Sequence, residues 1–154
     1  MNKQIHIMLV EDHAGYRETI AIALEQSDNM QLGSQFGTAE IALRALQNTA
    51  SPKQPDVILL DLNLPGMSGL EALPWIKGYA PNSEVIILTQ SDNAADVTRA
   101  ISEGAAGYLL KSATFKEITE GIETVMEGGA TLDPEVARFI INTLRSQPKP
   151  TPPE

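Results

Sequence analysis

The chain has 154 residues, 42% hydrophobic and 5% aromatic, with 20 acidic against 11 basic side chains and no cysteine. This length fits one domain around a single substantial core. A net charge of −9 argues against the polypeptide gripping a phosphate backbone by itself, and the lack of cysteine excludes disulfides, thiolate nucleophiles and cysteine-ligated zinc.

The opening MNKQIHIMLVED shows no signal-peptide pattern, and no apolar run approaches the roughly 20 residues that cross a bilayer. A cytoplasmic protein without membrane contact is expected. IHIMLV (5–10) reads as a strand, and GYRETIAIALEQ (15–26) as a helix with Ile20, Ala23 and Leu24 on one face. MQLGSQF (30–36) is a more polar strand suited to a sheet edge, and TAEIALRALQNT (38–49) an amphipathic helix with Thr38 as N-cap. Ile41 stands where a capping box wants Glu or Gln, so no box is expected there.

DVILLD (56–61) reads as a strand buried on both faces that ends at an acid, Asp61. On its own Asp61 is a cap, a metal ligand or a nucleophile. GLEALPWIKGYA (69–80) is the third helix, although Pro74 inside it removes a backbone donor. A kink or a late helix start is expected. SEVIILTQ (83–90) and AGYLLK (106–111) are the fourth and fifth strands. AADVTRAISEG (94–104) is a helix closed by Gly104, and TFKEITEGIETVMEGG (114–129) one capped by Thr114 and ended by Gly128 and Gly129. LDPEVARFIINTLR (132–145) starts a sixth helix at Asp133-Pro134, with an apolar stripe through Val136, Phe139, Ile140 and Leu144. It is expected to pack on the body or on a partner. The final SQPKPTPPE holds four prolines in nine residues and reads as an extended linker leading to a further domain.

Five strand-then-helix units imply parallel strands with right-handed crossovers, hence a doubly wound α/β sandwich with helices on both faces. Ligands of such sheets bind outside the carboxyl ends of the strands. The first strand ends in Glu11 and Asp12, the third in Asp61, the fourth in Thr89 and the fifth in Lys111, so these groups converge on one edge. Three crowded carboxylates repel one another, and an oxygen-only ligand set points to Mg²⁺ or a similar hard cation. The lysine supplies a positive charge for a phosphoryl oxygen and the threonine a hydroxyl donor. The set suits phosphoryl transfer with a carboxylate as covalent acceptor. His6 and His13 have no helical metal-pair spacing and read as surface or packing residues.

LVEDH, VILLDLNLPGMSGLE, VIILTQ and GYLLKS, in this order over roughly residues 4 to 128, resemble the receiver domain of two-component response regulators. The resemblance implies a flavodoxin-like sheet of order 2-1-3-4-5 and a sensor histidine kinase as phosphodonor, with small acyl phosphates as substitutes. It implies Asp61 as phosphoacceptor and Mg²⁺ held by Glu11, Asp12, Asp61 and the Asn63 carbonyl. Thr89 matches the switch hydroxyl, Lys111 the active-site lysine and Tyr108 the switch aromatic. The face built from the fourth helix, fifth strand and fifth helix is then the one that phosphorylation biases, with homodimer formation as an outcome. GGATLDPEVARFIINTL is similar to the receiver-to-linker segment of the NarL/FixJ subfamily, whose LuxR-type helix-turn-helix domain binds DNA. The implied division is a receiver domain over 1–128, an added helix over 129–146 and a linker over 147–154, with DNA reached only through a domain beyond this chain.

Three positions depart from the family pattern: Gln90 where a very small residue is usual, Ser112 where many members have a cis proline, and Pro74 in the third helix. An adaptor that binds partners without phosphorylation is the second reading, with Gln90 as its best support. A haloacid-dehalogenase-like phosphatase, a third, wants a second acid two residues after the nucleophile, where Asn63 stands.

Overall fold

A computed structural model describes residues 3–48, 54–91, 93–148 and 150–153. The apolar runs form β1 (Ile5–Val10), β2 (Met30–Phe36), β3 (Val57–Leu60), β4 (Glu84–Thr89) and β5 (Gly107–Leu110). Between them lie α1 (Ala14–Glu25), α2 (Ala39–Gln47), α3 (Gly69–Tyr79) and α4 (Ala94–Ser102), and α5 (Phe115–Met126) follows β5. All pairings are parallel, and the sheet order is β2-β1-β3-β4-β5-β6.

The sixth strand, β6 (Thr131–Leu132), exceeds the five expected. It pairs Thr131 with Gly107 and Tyr108 with Leu132. Two residues are too short for a periodic signal, and the space comes from glycines instead. A Cβ on Gly107 would stand 2.5 Å from Thr131 Cγ2 and 2.8 Å from the Thr131 carbonyl, and one on Gly121 2.8 Å from Thr131 Oγ1. β6 delivers the chain to α6 (Pro134–Arg145), which lies against α4. Val136 is fully buried there, and Leu132 and Ile140 pack on the same cluster. Of the expected α6 stripe, Val136 and Ile140 pack inward and Phe139 is half-buried, but Leu144 is 62% exposed.

Strand alternation divides the core. Met8, Val10, Ile58, Leu60, Val85, Ile87 and Tyr108 face α2, α3, α4 and α6. Ile7, Leu9, Val57, Leu59, Ile86, Leu88 and Leu109 face α1 and α5. The sheet is thus buried on both sides, as its unbroken apolar runs require. β2 alternates with exposed positions, fitting an edge, and its register against β1 slips between Ile7 and Met8.

The caps follow the sequence. Thr38 Oγ1 accepts from the Ile41 amide, while Ser68 with Glu71 and Thr114 with Glu117 close full capping boxes. Gly104 and Gly128 leave α4 and α5 with φ of 105° and 92°, the left-handed region that glycine enters without Cβ strain. α3 does not start late: its capping box sets the first residue at Gly69, five positions before Pro74. Pro74 is exposed, so the ring meets solvent while the helix continues through it. No cis peptide occurs among the described residues, so the Lys111–Ser112 bond is trans. Of the expected proline-rich linker, residues 147, 148 and 150–153 are exposed and outside helix and strand; positions 149 and 154, and Thr49 of the second helical pattern, lie outside the described residues.

Candidate functional site

Backbone pairing continues one residue past each strand and aims the acids and the lysine. The Glu11 amide donates to the Phe36 carbonyl, Asp61 to Val10 and Lys111 to Thr89, at 2.8–3.0 Å. The side chains of Glu11, Asp61 and Lys111 meet at the carboxyl edge of the sheet, where the sequence places them. Asp61 is 3% exposed and Glu11 1%. Lys111 Nζ donates to Asp61 Oδ2 at 3.0 Å and pairs with Glu11 Oε1. The remaining carboxylate oxygens are held by backbone amides: Asn63 donates to Asp61 Oδ1 at 3.2 Å and His13 to Glu11 Oε2 at 3.1 Å.

These two buried carboxylates share one ammonium. Burial pushes the Glu11 carboxyl above its usual pKa, and the Asp61 charge adds to this, against the opposing pull of Lys111 and the His13 amide. Burial alone would lower the Lys111 pKa, but its hydrogen bonds to Glu11 and Asp61 and their charges outweigh that and hold it above the usual value. Lys111 is therefore a fixed cation at neutral pH.

Asp12 is exposed, and one carboxylate oxygen from each of Glu11, Asp12 and Asp61 lies within 4.8 Å of the others. Three carboxylates against one ammonium leave two negative charges, and every donor is a hard oxygen. This chemistry matches a divalent hard cation at the cluster of Glu11, Asp12 and Asp61. Asn63 is exposed and lies beside Asp61, with its amide fixed on the Asp61 carboxylate.

An open cleft of about 440 Å³ lies over these groups, lined among others by Asp12, His13, Tyr16, Asp61, Asn63, Gln90 and Lys111. The glycine after the β3 turn keeps the floor in place: a Cβ on Gly69 would stand 2.3 Å from the Asp61 carbonyl. Thr89 is fully buried, and its Oγ1 accepts from the Ser91 amide at 3.4 Å. Tyr108 is also fully buried, and its hydroxyl donates to the Ser91 carbonyl at 2.6 Å. Ser91 thus touches both residues that the sequence reading singled out as a switch pair.

Two groups escaped the sequence reading. His13, expected to be bland, is the N-cap of α1: its Nδ1 accepts from the Tyr16 amide at 3.0 Å. Only its position directly before the first helical pattern hinted at this. The Tyr16 ring lies beneath Lys111, with Nζ 4.8 Å from the ring centroid. An aromatic four residues after Asp12 reads as packing in any apolar pattern, so nothing in the sequence separated it from core.

A profile of the response regulator receiver domain matches residues 7–123. The nitrate/nitrite response regulator protein homolog of Haemophilus influenzae is 32% identical over 143 residues, covering 92% of this chain and 66% of that protein. The glycerol metabolism activator of Pseudomonas putida is 33% identical over 132 residues, 86% of this chain and 58% of that protein. The chain spans about three fifths of the length of such curated relatives. Among solved structures, a LuxR-family two-component response regulator from Aurantimonas superposes with a TM-score of 0.83 at 28% identity, covering 94% of this chain and all of that one. The receiver domain of the putative response regulator NarL from Mycobacterium tuberculosis gives 0.73 at 28% identity, covering 82% and 98%. The flavodoxin-like sheet and the acidic edge therefore have their explanation in descent: this chain belongs to the response regulator receiver domain family, among regulators of the NarL/LuxR type.

Proposed function

We propose that the chain is a signalling phosphoacceptor, which takes a phosphoryl group onto Asp61 from the phosphohistidine of a sensor kinase. The carrying observation is the buried Asp61 carboxylate, ion-paired to Lys111 inside a cluster of three carboxylates and open to a cleft. One Asp61 oxygen attacks phosphorus as the bond from phosphorus to the donor nitrogen breaks, and the proton that neutralises the leaving imidazole comes from solvent. Little covalent chemistry is asked of the protein; positioning and charge neutralisation carry the step. Asp61 is held in line by the Asn63 amide and Lys111, and Lys111 stabilises charge on the transferred group. Mg²⁺, held by Asp12, Asp61 and the Asn63 carbonyl with Glu11 behind them, supplies further charge neutralisation when bound.

Phosphorylation then draws the Thr89 hydroxyl away from the Ser91 amide, and Tyr108, tied to the carbonyl of the same Ser91, follows. The surface of α4, β5 and α5 is the readout, homodimer formation one outcome, and control of transcription through a DNA-binding domain the purpose; relatives bearing the names of transcriptional regulators support this. The division into receiver (1–128), added helix (129–146) and linker (147–154) belongs to the same reading. The competing reading, an adaptor that never accepts phosphate, rests on Gln90 in the cleft lining. Treatment with a small acyl phosphate and Mg²⁺ decides between them by intact mass. One added phosphoryl group, absent from Asp61→Asn, is expected; an unchanged mass favours the adaptor.

A further inference from the structure

Lys111 has a flexible stem, and the two groups that hold its charge, Glu11 and Asp61, are also ligand candidates for a divalent cation. A cation entering the cluster competes with the lysine for both. The Tyr16 ring is a partner without this conflict. It is uncharged, lies 4.8 Å below Nζ and offers the negative face of its quadrupole to the ammonium. The Tyr16 side chain itself makes no hydrogen bond to the acids. The Tyr16 amide is anchored by the His13 Nδ1 cap, and the ring packs against the cluster formed by α1, α5 and the sheet. The hydroxyl is buried and finds no hydrogen-bond partner among the described residues. The ring face is therefore the part of this side chain that the site uses.

We propose that Tyr16 is a positioning residue for phosphoryl transfer, its ring face seating the Lys111 ammonium beside Asp61 while the carboxylates engage a cation. This rests on the phosphoacceptor reading above. A ring in this position contributes roughly three- to thirty-fold in rate when the contact is desolvated.

The test compares labelling rates of wild type, Tyr16→Phe and Tyr16→Leu by a small acyl phosphate and Mg²⁺, with proton NMR of the Lys111 ε-methylene in the wild type. Tyr16→Leu should slow labelling by roughly three- to thirty-fold, whereas Tyr16→Phe, which keeps the ring, should stay within about twofold on the same basis. The Lys111 ε-protons should be shifted upfield by the ring current. A Tyr16→Leu rate equal to wild type overturns the proposal while leaving the phosphoacceptor reading intact, and so does a Tyr16→Phe rate as slow as Tyr16→Leu. Should Tyr16→Leu fail to fold, the Tyr16→Phe rate and the NMR shift still decide. A wild type that takes no label overturns the phosphoacceptor reading itself, and the shift then reports on the ring contact alone: unshifted ε-protons overturn it.

Discussion

Replacing Lys111 with Met keeps the length of the side chain and deletes its charge. Glu11 at 1% and Asp61 at 3% exposure then face each other without a cation. Removing one partner from a buried ion pair costs about 3–5 kcal/mol, because the remaining charge is stranded. Here the Lys111 side chain is itself 15% exposed, so water enters on its removal, and a carboxylate can escape by taking a proton. A loss of about 3 kcal/mol follows, or roughly 6–12 °C in Tm for a domain of this size. The pH dependence has a definite sign. Glu11 already titrates above its ordinary value through burial, and the variant removes the Lys111 hydrogen bond and charge that oppose this. A carboxyl with a raised folded-state pKa binds protons in the native state that the unfolded chain has released. The variant should therefore gain stability as the pH falls from neutral through that raised pKa, and lose it as the pH rises back. Millimolar Mg²⁺ should narrow the deficit at neutral pH by supplying the missing charge. The assay is urea unfolding followed by far-UV circular dichroism at several pH values, with EDTA or Mg²⁺; the single tryptophan, Trp75, is 56% exposed and a poor reporter of the core. A loss under about 1 kcal/mol that runs parallel to wild type in pH would refute the view that Lys111 compensates two buried charges.

Gly107→Ala drives a methyl group into Thr131, so β6 should leave the sheet and α6 should loosen. A loss of about 1–3 kcal/mol is expected, with faster proteolysis within 131–146 than in wild type. Pro74→Ala restores the amide that α3 lacks towards the Leu70 carbonyl, at an exposed position. It should stabilise by about 2–2.6 kcal/mol, the helix gain of about 3 kcal/mol less the roughly 0.4–1 kcal/mol of entropy that proline removes from the unfolded chain; thermal denaturation reads this directly. Tyr16→Phe deletes a buried hydroxyl without a partner, so chemical denaturation should find it neutral or up to about 1 kcal/mol more stable than wild type.

The edge chemistry was legible because parallel topology turns chain order into spatial convergence. Once Glu11, Asp61, Thr89 and Lys111 stand at strand exits, only one side of the sheet can receive them. Apolar alternation likewise assigns each strand residue to one of the two helical layers. What stayed hidden depends on contacts between elements far apart in sequence. The seat of Lys111 on Tyr16 joins α1 to the exit of β5, and no local pattern encodes it. β6 exists because Gly107 and Gly121 leave room for Thr131, a fact about two other elements. At Pro74 the late helix start does not occur: the local penalty is real, but the Ser68–Glu71 capping box and the buried Leu70, Leu73 and Ile76 hold the helix through it. Helix propensity is a weak prior against packing of that kind.

The carboxylate that carries the phosphoryl group can be identified chemically. After reaction with a small acyl phosphate and Mg²⁺, reduction by tritiated borohydride converts an aspartyl phosphate to a labelled alcohol that peptide sequencing can place. Label is expected at position 61 alone; label on Glu11 or Asp12, or none at all, would show that Asp61 is not the phosphoacceptor.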